Sequence, residues 1–211
     1  MSDPLPLSEI FDRLPIASVV WSIQRNDELS GVGSGTFWQA ELAPVLWTAE
    51  VTLGRGLNDE LKQAAALIRK LDGARQSFML CDPVSVYPQA DPKGTVLGAA
   101  QVTLGAIGSD RTVAPLQGLP AGYVLTIGDK LQIQSAGKTA FVEVSNTIAA
   151  LAGGTANVSI FPRLPAWVAA GATVVLKRPA CPVVIFPESH NPGTARRAVT
   201  EGAAFKVIQK K

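Results

Sequence analysis

Residues 130–144 have the sequence KLQIQSAGKTAFVEV, in which two runs with strand character flank a glycine. Lys130–Gln134 and Lys138–Val144 predict two β-strands, and the turn around Gly137 predicts that they form a hairpin. The Gly-Lys-Thr sequence of that turn resembles the end of a phosphate-binding loop. However, Gln132 stands where that motif requires glycine, and no helical pattern follows. A hairpin is therefore the predicted structure of this stretch.

Strand signals recur throughout residues 95–180, about one every ten residues, with Gly or Pro between them. This rhythm is typical of a small β-barrel or β-sandwich. We predict that these residues form an all-β domain that is inserted into a second domain. Its predicted strands are Val96–Leu104, Thr112–Leu116, Tyr123–Ile127, Lys130–Gln134, Lys138–Val144, Asn157–Phe161 and Thr173–Leu176.

The flanking residues, 1–94 and 181–211, predict a discontinuous β-sandwich or β-barrel domain with one helix, so that the fold class is mainly β. An amphipathic pattern with helical period begins at Asn58, a predicted N-cap, and stops at Gly73. Gly31–Gly35 predicts a hairpin loop, because its glycine spacing departs from the dinucleotide-binding fingerprint and a strand follows it. The other predicted strands are Leu14–Ile23, Phe37–Leu42, Val45–Leu53, Arg75–Leu80, Val183–Phe186 and Ala203–Ile208.

The composition argues against several classes of function. The 19 basic and 17 acidic side chains are too balanced for specific nucleic-acid binding. A single His and two Cys leave little for a His/Cys metal site or a histidine-based triad. Cys81 and Cys181 could pair, although nothing else indicates an oxidising compartment. The N-terminus lacks the order of a signal peptide, and no apolar run reaches the roughly 18 residues of a membrane span. We therefore expect no membrane insertion, no cofactor and no enzymatic activity.

Few residues stand out as candidates for a site. His190 lies in a polar turn and is the only residue that motivates a hydrolase hypothesis. Ser189 and Ser34 are conceivable nucleophiles for it, but nothing in the sequence selects them. Trp167 lies outside the predicted strands and is the candidate glycan contact, since an exposed aromatic ring combines apolar area with a polar edge. The other three tryptophans lie in predicted strands, where we expect them to pack in the core.

Four stretches of the chain carry motifs in an informative order. The first runs from Leu61 to Pro83 and contains the helix, its glycine stop and the strand sequence FMLCDP. The others are Gly118–Ile133, Phe161–Pro165 and Gly171–Leu176. In this order they resemble the minor tail proteins of long-tailed, siphovirus-like bacteriophages. The resemblance extends over residues 14–186, and the distal tail protein is the most similar role.

This resemblance implies a structural virion protein of the phage tail tip. Such proteins form a ring, typically a hexamer, that joins the tail tube to the baseplate hub, and the family supplies no catalytic motif. The implied partners are further copies of the chain, the tail tube protein and the baseplate hub protein. The implied location is the virion, after synthesis in the cytoplasm of the bacterial host. The alternative is a carbohydrate-binding module that attaches to host-surface glycans through Trp167.

Overall fold

The computed structural model describes residues 3–31 and 33–211, and within them the protein is mainly β with a single α-helix. The helix, α1, spans Asn58–Lys70, and a short 3-10 helix spans Phe11–Arg13. In chain order the strands are β1 (Ile16–Gly31), β2 (Phe37–Leu53), β3 (Gly56–Leu57), β4 (Phe78–Cys81), β5 (Val102–Leu104), β6 (Val113–Gln117), β7 (Val124–Leu125), β8 (Lys130–Ser135), β9 (Lys138–Val144), β10 (Ile148–Ala149), β11 (Thr155–Phe161), β12 (Thr173–Val175), β13 (Ala180–Ile185), β14 (Thr194–Ala195), β15 (Val199–Glu201) and β16 (Ala204–Gln209).

The chain folds into two compact units. This division falls at 77/78 and 182/183, whereas the sequence-based prediction places the domain boundaries at 94/95 and 180/181. What we call the helix unit comprises residues 3–5, 12–77 and 183–210, and what we call the barrel unit comprises residues 6–11, 78–182 and 211.

The first boundary lies earlier than predicted because the polar groups of the residues before Thr95 find partners in the barrel unit. The N–H of Lys130 donates to Ser85 Oγ at 3.2 Å, and the N–H of Gln89 donates to Asp129 Oδ1 at 2.9 Å. Buried polar groups require such partners. The turn-rich segment is therefore part of the barrel unit rather than of the flanking domain to which the sequence assigns it.

Asp91, near the end of this segment, explains why one strand is shorter than predicted. Its buried carboxylate accepts hydrogen bonds from the N–H of Leu97 at 2.9 Å and from the N–H of Val96 at 3.2 Å. These bonds hold the two residues in a turn. The predicted strand Val96–Leu104 is consequently reduced to β5.

Six strands of the barrel unit form a closed barrel in the order β11-β6-β5-β12-β8-β9. The hairpin predicted for residues 130–144 is confirmed, because β8 and β9 pair in antiparallel register from Lys130 opposite Glu143 to Ser135 opposite Lys138. Ala136 and Gly137 turn the chain with φ of 49° and 74°. Side chains fill the interior, and among the most deeply buried are Leu116, Leu125, Leu131, Ile133, Val142, Val144 and Val158.

The helix unit contains two antiparallel sheets and α1. Strands β1, β2, β16 and β13 are successive neighbours in the larger sheet, and the smaller sheet has the order β14-β15-β3. The buried face of α1 is formed by Leu61, Ala64, Ala65 and Ile68, as the helical periodicity predicts. The helix therefore covers apolar area in its own unit and leaves its polar residues outside.

The start of α1 differs from the prediction by one residue. Asn58 is the first helical residue rather than the N-cap, which is Leu57. The N–H of Leu57 donates to the Glu60 carboxylate at 3.2 Å. The Asn58 amide instead accepts from Thr200 Oγ1 at 2.9 Å and donates to the carbonyl of Arg196 at 2.9 Å. It thus ties the helix to the β14–β15 segment of the same unit.

The two cysteines do not pair. Cys81 in β4 and Cys181 in β13 are buried free thiols, and burial raises the pKa of the Cys181 thiol well above its ordinary value. Both side chains therefore serve as small apolar groups in the barrel unit.

Candidate functional site

The most extended feature of the helix unit is the hairpin of β1 and β2. These strands have 16 and 17 residues, whereas strands of globular proteins usually have about 3–10. β16 pairs with β2 only from Thr48 to Thr52. Among the described strands, the outer part of the hairpin therefore has no partner but itself. We call this outer part, residues 26–31 and 33–43, the arm.

The sequence of the hairpin explains how so long an element forms. The register shifts between Gln24 and Asp27, and Pro44 lies in β2 at this irregularity. Proline is tolerated at such bulges because no ladder hydrogen bond is required of its nitrogen. The predicted strands Phe37–Leu42 and Val45–Leu53 are consequently continuous as β2. Gly31 pairs with Phe37, which confirms the predicted hairpin loop; Val32 of that loop lies outside the described residues.

The arm exposes large apolar side chains. Leu29, Phe37, Trp38 and Leu42 have 69, 74, 68 and 69% of their surface accessible. Single exposed apolar residues are common, but several on one element indicate an interaction surface. We expected Trp38 to pack in the core because it lies in a strand, and this prediction is wrong.

The register divides these side chains between the two faces of the arm. Gly31 pairs with Phe37 and Leu29 pairs with Gln39, so Leu29 and Phe37 share one face. Ser30 pairs with Trp38 and Glu28 pairs with Ala40, so Glu28 and Trp38 share the other face. Both faces thus combine apolar and polar groups. This combination suits a protein partner better than an internal core.

The charge of the arm is acidic. Its sequence contains Asp27, Glu28 and Glu41 and no Lys or Arg. Asp27 is engaged within the hairpin, where its carboxylate accepts from the Gln39 amide and lies 3.5 Å from the Arg25 guanidinium. Among the described residues, Glu28 is in no ion pair. It is therefore available to a cation of a partner.

A groove lies beside α1 in the same unit. It has a volume of 890 Å³, is open to solvent, and runs between α1 and residues 12–15. Leu14, Pro15, Ala66 and Leu67 supply apolar surface, and Arg13 and Lys70 supply positive charge. The remaining lining residues are Asp12, Glu60, Gln63 and Ala64.

The candidate glycan contact is less accessible than the sequence indicates. Trp167 lies outside the strands, as expected, but its ring is half-buried and packs against the barrel core. The Lys138 ammonium is 5.9 Å from the centroid of this ring. The Lys138 ammonium therefore already lies over one face of the Trp167 ring, where a sugar would stack.

The residues of the hydrolase hypothesis are not arranged as a catalytic pair. Ser189 Oγ donates to the carbonyl of Phe186 at 2.6 Å and accepts from the N–H of Lys206 at 3.1 Å, so it serves its own turn. Ser34 Oγ lies 3.3 Å from the Thr36 hydroxyl in the hairpin loop. Burial, with the charge of Arg69, lowers the pKa of His190 below its ordinary value.

In residues 3–31 and 33–211, His, Cys, Asp and Glu do not gather in a group of three or more that could hold a metal ion. The described part of the chain also has no helix with the length and apolar character needed to cross a membrane. The arm and the α1 groove are therefore the surfaces on which a functional argument can rest.

Comparison with known proteins finds no family model that matches the chain and no curated protein with significant sequence similarity to it.

Proposed function

We propose that this protein is a structural subunit of a bacteriophage tail tip, where copies of the chain form a ring that joins the tail tube to the baseplate hub. The observation that carries the proposal is the arm. It exposes Leu29, Phe37, Trp38 and Leu42 on an element that has no other described strand beside it.

The energetics of the arm favour a role in assembly. A two-stranded hairpin by itself is at best marginally stable in water. Burying one large apolar side chain contributes about 1.5–3 kcal/mol. Four such side chains on one arm therefore provide a substantial driving force for association. Obligate interfaces are apolar in this way.

The edge of the sheet supports the same conclusion. β1 is the first strand in the order of the larger sheet, so one of its edges is not paired with any described strand. Such an edge is a template for pairing with another chain unless it is covered. A neighbouring subunit would cover it in a ring, whose contacts are heterologous and close on themselves.

The assignment to a phage tail rests on the motif order from Leu61 to Leu176 that resembles minor tail proteins. Under this proposal the ring is a hexamer located in the virion, and its partners are the tail tube protein and the baseplate hub protein. The role is mechanical, and no residue is assigned a catalytic function.

Size-exclusion chromatography with light scattering, followed by electron microscopy, tests the assembly. We expect the wild-type chain to form a closed ring and the Trp38→Ser variant to shift toward monomer. Leu151→Ser is the matched control, because Leu151 is also 68% exposed but lies in the barrel unit. A wild-type chain that stays monomeric at high concentration contradicts the proposal.

The tail location needs its own experiment. Gold-labelled antibodies against the chain, applied to intact particles of the phage that encodes it, should bind at the distal end of the tail. Labelling of the head alone, or no labelling of opened particles, would contradict the proposed place in the virion.

The carbohydrate-binding alternative rests on Trp167 and has less support, because the ring is half-buried. Binding to a glycan array that is lost in Trp167→Ala would favour it. Binding that is unchanged in this variant would remove Trp167 as the contact.

A further inference from the structure

We propose that the α1 groove of one subunit receives the Trp38 face of the arm of the next copy of this chain. This inference rests on the proposed self-assembly and names its acceptor surface. The occupant is a second copy, and the argument for it comes from shape, apolar area and charge.

The groove and the arm match in apolar character. Leu14, Pro15, Ala66 and Leu67 line an open cavity of 890 Å³. Cavities of about 300–1,000 Å³ accept groups the size of a small ligand, with apolar walls and a few polar groups. A tryptophan side chain with its neighbours is of that size. Trp38 projects from a narrow hairpin with 68% of its surface accessible, so it can enter.

The charges permit a specific ion pair as well. The groove carries two basic residues, Arg13 and Lys70, and two acidic ones, Asp12 and Glu60, and Glu60 accepts the N–H of Leu57 at 3.2 Å. Among the described residues, Lys70 of the groove and Glu28 of the arm are in no ion pair. Because Glu28 and Trp38 share one face of the arm, insertion of the ring would bring Glu28 toward the basic residues. Such complementarity favours one register of docking.

The geometry of this contact predicts its symmetry. The arm and the groove are different surfaces of the same unit, so an arm-to-groove contact is heterologous. Contacts of this type generate rings when the rotation closes and filaments when it does not. Each subunit would donate one arm and accept one arm. A variant without a functional arm and a variant without a functional groove should therefore still form one arm-to-groove contact with each other.

A mixing experiment tests this directly. Trp38→Ser removes the apolar part of the arm, and Leu67→Glu places an acid in the groove. Each variant alone should be monomeric in light scattering. An equimolar mixture should form a one-to-one dimer and no ring, because only one competent arm and one competent groove remain in each pair.

Charge reversal provides a second test with exposed residues. We expect Glu28→Lys or Lys70→Glu to weaken assembly about tenfold, and the double variant Glu28→Lys/Lys70→Glu to recover it. Lys62→Glu is the matched control, since Lys62 is an exposed lysine of α1 that does not line the groove. Circular dichroism checks that every variant is folded.

The outcomes separate this inference from the proposed function. If the wild-type chain forms rings but Leu67→Glu and Lys70→Glu assemble normally, the groove is not the acceptor, and the proposed ring formation stands. If the two surface variants give no dimer when mixed, the heterologous arm-to-groove contact is wrong. If the wild-type chain is monomeric, both the inference and the proposed function are overturned.

Discussion

At the scale of single residues, Arg111 holds the turn that carries Trp167. Its guanidinium donates to the carbonyls of Leu164, Pro165 and Val168 at 2.9, 2.6 and 2.5 Å. Hydrogen bonds from a charged donor contribute about 1.5–3 kcal/mol each, and they are not additive. We expect Arg111→Ala to destabilise the barrel unit by about 3 kcal/mol. Urea unfolding followed by the NMR signals of backbone amides in that unit measures this change.

Two further variants give the Arg111 measurement its controls. Arg111→Lys keeps the charge but loses the planar fork of donors, so it should recover part of the loss. Lys93→Ala removes an exposed cation of the same unit and should change stability by less than about 0.5 kcal/mol. Equal stability of Arg111→Ala and the wild-type chain would show that the three carbonyls find other partners.

Asp3 gives the helix unit a pH dependence. The Lys210 ammonium at 2.7 Å and then the Ser77 hydroxyl and N–H lower the pKa of this carboxyl below its ordinary value of 3.8. A lowered folded-state pKa stabilises the fold fully above the unfolded value, and this stabilisation is lost as the pH falls through the folded value. The loss therefore occurs below about pH 3.8.

The Asp3 effect should be small because the side chain is 47% exposed. Exposed ion pairs contribute about 0–1 kcal/mol. We expect Asp3→Asn to destabilise the protein by less than about 1 kcal/mol at pH 6, with a smaller difference near pH 2.5. In an NMR titration, Lys210→Met should move the pKa of Asp3 back toward 3.8. An Asp3 pKa that is the same with and without Lys210 would contradict this cause.

At the scale of elements, the β8–β9 hairpin contains a strained position. Ala136 has a φ of 49°, and Gly137 follows with a φ of 74°. Two-residue hairpin turns with positive φ at both positions favour Asn-Gly. We expect Ala136→Asn to stabilise the barrel unit by about 1 kcal/mol, measured as a higher Tm. Ala99→Asn, at an exposed position without positive φ, should give no such gain.

The arm should be the part of the hairpin that opens most easily before assembly. Among the described residues, the arm pairs as a strand across the β1–β2 ladder alone, whereas Thr48–Thr52 also pair with β16. Local opening follows such differences in packing. We expect fast hydrogen exchange in residues 26–31 and 33–43 of the Trp38→Ser monomer and slow exchange in 48–52. In the wild-type assembly, protection of the arm should rise, and unchanged exchange there would place the interface elsewhere.

Local signals explain which elements could be predicted from the sequence. The periodicity of Leu61, Ala64 and Ile68 predicts α1, with its start correct to within one residue, because a helix is stabilised by contacts along its own chain. The β8–β9 hairpin could be predicted for the same reason, because its two strands are adjacent in the sequence. Val96 lies in a turn and not in the predicted strand, because its N–H donates to the buried carboxylate of Asp91 and not to a neighbouring strand. No pattern along the strand itself reveals that competition.

The candidate site was harder to predict than the fold. Phe37 and Trp38 have the residue types of a buried strand, and their exposure follows from where β16 stops pairing, near Thr48. The place where this pairing ends is a property of the tertiary structure, and the sequence around Trp38 carries no signal of it. The α1 groove likewise combines residues 12–15 with a helix that begins more than forty residues later.

At the scale of the whole molecule, the boundary of the barrel unit leads to a test with two fragments. A fragment of residues 78–182 retains Ser85, Gln89 and Asp91, whereas a fragment of residues 95–180 lacks them. Without these residues, the N–H groups of Leu97 and Lys130, both buried, lose their protein acceptors. A buried donor without a partner costs about 1–3 kcal/mol.

The longer fragment should therefore unfold cooperatively in urea, and the shorter one should be less stable by several kcal/mol or should not fold, since single domains have only about 5–15 kcal/mol in total. The Asp91→Ala variant of the longer fragment isolates one cause, because it removes the acceptor of Val96 and Leu97 and keeps every other residue. It should lie between the two fragments in stability. Equal stability of both fragments would instead place the boundary at 94/95, as the strand pattern alone predicts, and would make residues 78–94 a segment that the barrel does not need.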